Sequence, residues 1–111
     1  IAAGVLTGKY LDDARPAGAR NTLWPSNTRY FGHQAKAATR AYVDLAAEIG
    51  LAPEVLAHAF VLKQPFVTSS IVGATAIWHL DRASEALSVT LDEDTHDRLE
   101  RLHREYLAPA P

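Results

Sequence analysis

The chain has 111 residues, of which 48% are hydrophobic, and its formal net charge at pH 7 is −2. These values suit a globular domain, and the interspersed charges argue against a broad basic surface for nucleic acid or an anionic membrane. No apolar run approaches the roughly 20 residues that span a bilayer, and cysteine is absent, so we expect a cytoplasmic protein without disulfides. The five histidines match no metal-binding motif, so no metal site is predicted.

The first third of the chain is predicted to be largely irregular. After an apolar start, residues 11–33 carry two prolines and two glycines among polar side chains and show no sustained helical or strand period. Loops of this length are uncommon in compact domains, and Trp24, Tyr30 and Phe31 argue against simple disorder. We interpret this segment as a lid over a site.

The remainder is predicted to hold four helices and one buried strand. The helices are expected at about residues 34–49, 53–63, 76–87 and 92–106, and the strand at about 66–72.

Particular residues indicate how these helices end and pack. Gly50 is placed to end the first helix in a left-handed conformation, and Pro53 suits the first turn of the second, with His58 expected on its flank. The third helix carries an apolar stripe that is expected to face the core: Ile77, Leu80, Ser84 and Leu87.

The junction between the strand and the third helix has the composition of an anion site. Gly73 permits close backbone approach, and the helix is predicted to open at Thr75 with unpartnered N–H groups that favour a phosphate. His79 and Arg82 follow four and seven residues later, on roughly the same side of the helix. The alternative is an ordinary turn with a capping threonine and two solvated side chains, and the turn alone does not decide between them.

Three segments resemble the aldo-keto reductase family, in the right order and at the right spacing: residues 4–10 (GVLTGKY), 16–20 (PAGAR) and 70–75 (SIVGAT). The branch that contains potassium-channel β-subunits and their bacterial relatives is the most similar. The resemblance covers nearly the whole chain and implies an α/β fold in which residues 1–111 are the C-terminal part of a single (β/α)8 TIM barrel. The segment would contain strand 8 and a C-terminal helix, and its start at Ile1 without methionine fits a piece of a longer polypeptide.

The same resemblance implies NADPH as the cofactor, at the barrel end where phosphates are commonly bound after strands seven and eight. The residues implied along its pyrophosphate, through backbone groups or positive charge, are Ile1, Ala2, Ala3, Gly4, Lys9 and Arg20. Those implied at the adenosine 2′-phosphate end are Gly73, Thr75 and His79, the last in place of the usual glutamine.

One departure from the family pattern affects the adenine end. The family usually has a Glu-Asn pair here, whereas this chain has Arg82 and Ala83, and an alanine cannot replace the hydrogen bonds of asparagine. A guanidinium matches phosphate geometry with two parallel donors, so Arg82 is expected to bind the 2′-phosphate and to favour NADPH over NADH.

By resemblance, the activity is hydride transfer from the nicotinamide to a small-molecule aldehyde or ketone. The family's catalytic tyrosine, lysine, aspartate and histidine belong to earlier strands, so this segment contains no catalytic residue and should be inactive alone. A non-catalytic subunit that senses the redox state of the cofactor is an alternative with the same fold. A self-contained helical interaction module is less favoured, because a lone strand leaves its backbone donors and acceptors unpaired. The oligomeric state is left open.

Overall fold

The computed structural model describes residues 1–110 and consists of helices joined by turns and extended segments. Two short 3₁₀ segments, Ala2–Thr7 and Leu11–Asp13, precede the longer helices. The five α-helices follow in chain order as α1 (Arg20–Leu23), α2 (His33–Glu48), α3 (Pro53–Leu62), α4 (Ile77–Ser88) and α5 (Glu93–Glu105). Each of α2 to α5 begins and ends within one residue of the position that the sequence pattern predicts.

Local sequence explains where these helices begin and end. Gly50 has a φ of 73° just after α2, a left-handed conformation that glycine adopts without steric cost. Pro53 is the first residue of α3, where its missing N–H is not needed. The carboxylate of Asp92 accepts the backbone N–H of Thr95 at 2.8 Å and caps α5, and the hydrogen bonds from Thr95 lower the pKa of Asp92.

Helix α3 lies at the centre of the packed layer and contributes to two apolar clusters. The first joins α2, α3 and α5, and its buried members are Leu45, Ala46, Leu56 and Leu99. The second joins α3 to α4, and its buried members are Val55, Ala59 and Ala86. Because α3 is buried along both clusters, it fixes the position of α4 relative to the rest of the layer.

Residues 11–33 are less irregular than the sequence predicts. They contain α1 and the second 3₁₀ segment, and they are anchored by Asn21, which is only 1% exposed. Its backbone N–H donates to the Tyr10 hydroxyl at 3.1 Å, and the Tyr10 ring packs edge-on against Phe31 with centroids 5.7 Å apart. Trp24 is 60% exposed and does not anchor the segment.

The strand predicted at residues 66–72 is not formed, and residues 1–110 contain no β-strand. These residues run between α3 and α4 in a connecting segment (residues 63–76) of turns and extended backbone. Phe66 is 82% exposed and Ile71 is 96% exposed. The physical reason is that a strand satisfies its N–H and C=O groups on neighbouring strands, and residues 1–110 supply none.

The apolar stripe predicted for α4 does not face the core. Ile77, Leu80 and Leu87 are 79%, 51% and 69% exposed, whereas Ala86 on the same helix is buried against α3. The small residues of α4 allow close approach to α3, so the large apolar side chains remain on the opposite side. Phe66 and Ile71 are also largely exposed, so several large apolar side chains of α4 and the connecting segment stay uncovered within residues 1–110.

Within residues 1–110, no single helix is both long and apolar enough to cross a membrane. The α2 and α3 pair meets these criteria only when taken together, by length and composition alone, and the two helices are bent by 93° at their junction.

Candidate functional site

The backbone of the first residues has an uncommon conformation. Ala2, Ala3 and Gly4 have φ angles of 50°, 55° and 85°, in the left-handed region that costs a residue with a Cβ about 1–2 kcal/mol. Two hydrogen bonds hold this conformation: the Gly4 N–H donates to the Ile1 carbonyl at 2.9 Å, and the Asn21 side-chain amide donates to the Ala3 carbonyl at 3.4 Å. The N-terminal backbone is therefore positioned by α1.

Lys9 lies directly over this backbone. A Cβ added at Gly4 would lie 3.0 Å from both Cε and Nζ of Lys9, so the flexible lysine side chain would have to shift to make room for it. The ammonium also lies 5.3 Å from the centroid of the Tyr10 ring, an attractive cation–π contact. The structure thus brings together two predicted site residues, Gly4 and Lys9, and places a positive charge beside backbone groups.

Arg20 is brought near the same backbone only indirectly. It is the first residue of α1 and is exposed, while its neighbour Asn21 makes the hydrogen bond to Ala3. Asn21 was not among the residues predicted from the sequence. A buried asparagine in a Pro- and Gly-rich segment has no sequence periodicity to mark it, so only the tertiary contacts with Tyr10 and Ala3 identify it.

The turn before α4 differs in detail from the sequence prediction. Helix α4 begins at Ile77 and its N-cap is Ala76, so Thr75 precedes the cap and is not the capping residue. The backbone N–H of Thr75 donates instead to Nδ1 of His79 at 3.1 Å. His79 reaches back over the turn and occupies a donor that an anion would otherwise accept from. Gly73 is exposed and has open space on its Cβ side.

Arg82 is engaged by two carboxylates. Its Nη1 lies 2.8 Å from Glu85 on the same helix, and its Nε lies 3.7 Å from Glu54 in the first turn of α3. The Glu85 carboxylate, with a smaller contribution from Glu54, raises the pKa of the Arg82 guanidinium. The two helices are held together at this point by Val55, Ala59 and Ala86, which explains how a residue distant in sequence meets Arg82.

A cavity of about 310 Å³ lies where the N-terminal residues meet the connecting segment. Ile1 and Ala2 line it on one side and Ser70 and Ile71 on another, with mostly apolar side chains of α2, α3 and α5 completing its wall. The cavity therefore includes two predicted site residues, Ile1 and Ala2, but none of those predicted at the turn before α4. Its lining offers shape and apolar contact rather than charge.

His58 lines this cavity and corrects the sequence expectation that it lies on the flank of its helix. It is 9% exposed, its Nδ1 lies 3.4 Å from the Ser70 hydroxyl, and burial lowers the pKa of the imidazole. The contact fastens α3 to the connecting segment. The sequence held no local signal for this burial, which follows from the packing of α3 in two apolar clusters.

Known proteins similar to this chain fall in one family. The model of the aldo/keto reductase family matches residues 1–104. Two curated relatives, each called Protein tas, from Escherichia coli strain K12 and from Shigella flexneri, are 50% identical over 108 residues. The match covers 97% of this chain and 31% of each relative, so the chain spans about a third of their length. On the strength of the family match over nearly all of its residues, the chain belongs to the aldo/keto reductase family.

Proposed function

We propose that this chain is the cofactor-holding C-terminal part of an NADPH-dependent oxidoreductase that reduces aldehydes or ketones. Membership of the family supports an oxidoreductase with a (β/α)8 barrel, and barrel enzymes commonly bind phosphate on the loops after strands seven and eight. The cofactor, when bound, supplies a hydride to the carbonyl carbon. The catalytic groups belong to parts of the barrel outside residues 1–111, so the segment alone is inactive.

The observation that carries this proposal is the position of Lys9 over the N-terminal backbone. The ammonium lies beside Gly4, in the segment that the family resemblance assigns to the cofactor pyrophosphate. A phosphate oxygen approaching Ile1 to Gly4 would meet this charge, and Arg20 adds a second exposed cation on the adjoining helix α1. The residues present on this side fit a diphosphate.

The residues at the turn before α4 also fit a phosphate, provided that one existing hydrogen bond is replaced. The N–H of Thr75 is bonded to the His79 ring, which a phosphate oxygen would replace as acceptor. The free His79 side chain would then be able to donate to the same phosphate. The role of the chain is thus to bind and orient both ends of the dinucleotide, while the cavity lined by Ile71 and Leu56 is covered by the remaining barrel.

Fluorescence titration of the full-length parent polypeptide with NADPH, and separately with NADH, tests the proposal. We expect binding of both, tighter for NADPH, together with consumption of NADPH when an aldehyde is added. The Lys9→Ala variant should weaken both cofactors, since the pyrophosphate is common to them. The matched control is Lys63→Ala, which removes an exposed lysine from the end of α3.

Failure of a folded parent to bind either cofactor would overturn the proposal. Binding without turnover would favour the alternative of a non-catalytic subunit that senses cofactor redox state, in the manner expected for the branch resembling potassium-channel β-subunits. A cytoplasmic location, a small carbonyl substrate and the absence of nucleic-acid and membrane partners are part of the same proposal. The small carbonyl substrate is tested by identifying the substrate of the purified enzyme.

A further inference from the structure

Arg82 is held by carboxylates on two different helices. The Glu85 contact at 2.8 Å is a direct hydrogen-bonded ion pair, and the Glu54 contact at 3.7 Å brings a second carboxylate to the same guanidinium. The Glu54 side chain is 16% exposed, compared with 45% for Arg82, so its charge is screened less by solvent than that of a surface glutamate. We call the two carboxylates, Glu54 and Glu85, the acidic clamp.

The clamp carboxylates compete for Arg82 with any anion bound at the turn around Thr75. Glu85 lies one helical turn beyond Arg82, on the side away from the start of α4, and Glu54 lies on the neighbouring helix. Arg82 is five residues into α4, about 7.5 Å along the axis from Ile77, and helical side chains lean towards the N-terminus. The guanidinium therefore has two alternative partners, the clamp carboxylates or an anion at the turn.

These alternatives exclude each other for chemical reasons. A guanidinium binds a carboxylate or a phosphate through the same pairs of N–H donors, so donors given to Glu85 are withdrawn from a phosphate. The two carboxylates also repel a phosphate dianion that approaches Arg82. NADH carries a hydroxyl where NADPH carries the 2′-phosphate, so only NADPH is affected.

We propose that Glu54 and Glu85 are positioning residues that withhold Arg82 from the 2′-phosphate and thereby reduce the preference of this protein for NADPH over NADH. This inference rests on the proposed function, since it concerns the same cofactor site. It assigns to two acidic side chains on α3 and α4 a role in cofactor choice that neither exerts by touching the cofactor.

The test measures dissociation constants for NADPH and NADH in the full-length parent and in Glu54→Gln, Glu85→Gln and the double variant. Each single change should raise the NADPH to NADH affinity ratio about threefold and the double change about tenfold, the scale of exposed ion pairs. The NADH affinity should stay constant, which also reports on folding. Glu105→Gln, which removes one negative charge from the end of α5, is the matched control and should leave the ratio unchanged.

The decisive comparison repeats the double change in an Arg82→Ala background. There the ratio should change much less, because only the direct repulsion between the carboxylates and the phosphate remains once the arginine is removed. An unchanged ratio in the double variant would overturn the inference, as would an equal increase in the Arg82→Ala background, which would indicate direct repulsion alone. If the double variant loses NADH affinity, its folding is disturbed, and the affinity ratio of the exposed Glu85→Gln single variant then decides whether the inference holds. A folded parent that binds neither cofactor refutes the proposed function, whereas normal binding of both with an unchanged ratio refutes only the clamp.

Discussion

The helical layer and the connecting segment of this chain respond in opposite ways to the same lack of neighbours. In the layer, α2, α3 and α5 bury Leu45, Leu56 and Leu99 against one another. In the connecting segment, residues 66–72 have a strand-like sequence, yet they form no strand and Ile71 is 96% exposed. A helix satisfies its backbone groups internally, whereas a strand needs partner strands, which residues 1–110 do not supply.

The difference indicates that the local sequence favours elements whose packing partners residues 1–110 do not supply. The exposed stripe of α4 follows the same rule, because Ile77, Leu80 and Leu87 have helical spacing but nothing within residues 1–110 covers them. The side of α4 that packs is lined by small residues and lies on α3, and this contact also produces the Glu54 and Arg82 pair.

The largest expected effect concerns the isolated chain. Without covering strands, the apolar surface around Phe66, Ile71 and Ile77 stays in contact with water, so residues 1–111 alone should not fold cooperatively. Thermal unfolding followed by circular dichroism and calorimetry should give a broad transition, while the full-length parent gives a sharp one. A sharp two-state transition of the isolated monomer would contradict the comparison.

A second prediction separates the two regions by mutation. Ile71→Ala should cost about 2–4 kcal/mol in the full-length parent, where we propose that residue 71 lies in a buried strand. In the isolated chain the same change should leave the helical content measured by circular dichroism nearly unchanged, because the side chain is exposed there. Leu56→Ala is the control, since it is buried within the layer and should destabilise both forms. Equal effects of Ile71→Ala in the full-length parent and in the isolated chain would show that the surroundings of residue 71 are the same in both.

A third prediction concerns pH and the contact between the two regions. Burial lowers the pKa of His58 in the folded state, so the neutral imidazole is favoured there. The stability that the neutral His58 contributes is fully present above the pKa of the unfolded state, about 6.5, and is lost as the pH falls below that value. Urea unfolding of the full-length parent at pH 7.5 and pH 5.5 should therefore show a larger loss of stability in the parent than in His58→Gln. An identical pH dependence in both would exclude His58 as its source.

The smallest expected effect is local to the helical layer. Asp92→Ala removes the acceptor of the Thr95 N–H and should lower the melting temperature, whereas Asp92→Asn keeps an acceptor and should be nearly neutral. The lowered pKa of Asp92 means that its stabilisation is present above the carboxylate's ordinary pKa and fades as the pH falls through the folded value. A matching loss in both variants would show that the charge, rather than the cap, stabilises α5.

The cofactor site stays a prediction, and the part of it that the sequence could indicate consists of backbone and local features. Gly4, Lys9, Thr75 and His79 were identified from the order and spacing of segments that resemble the family, and the structure adds the contact of Lys9 with Gly4 and of His79 with Thr75. Asn21 and Glu54 were missed. Each acts through a partner distant in the chain, and no local pattern reports such a contact.

By itself, the sequence determined the extents of α2 to α5, the left-handed end at Gly50 and membership of the family, because these depend on residues close together or on ordered motifs. The tertiary structure decided which side of α4 packs, that His58 is buried beside Ser70 and that Arg82 is held by Glu54 and Glu85. The reason is that helix bounds follow from short-range hydrogen bonding, whereas burial and ion pairing depend on which distant elements are present to pack.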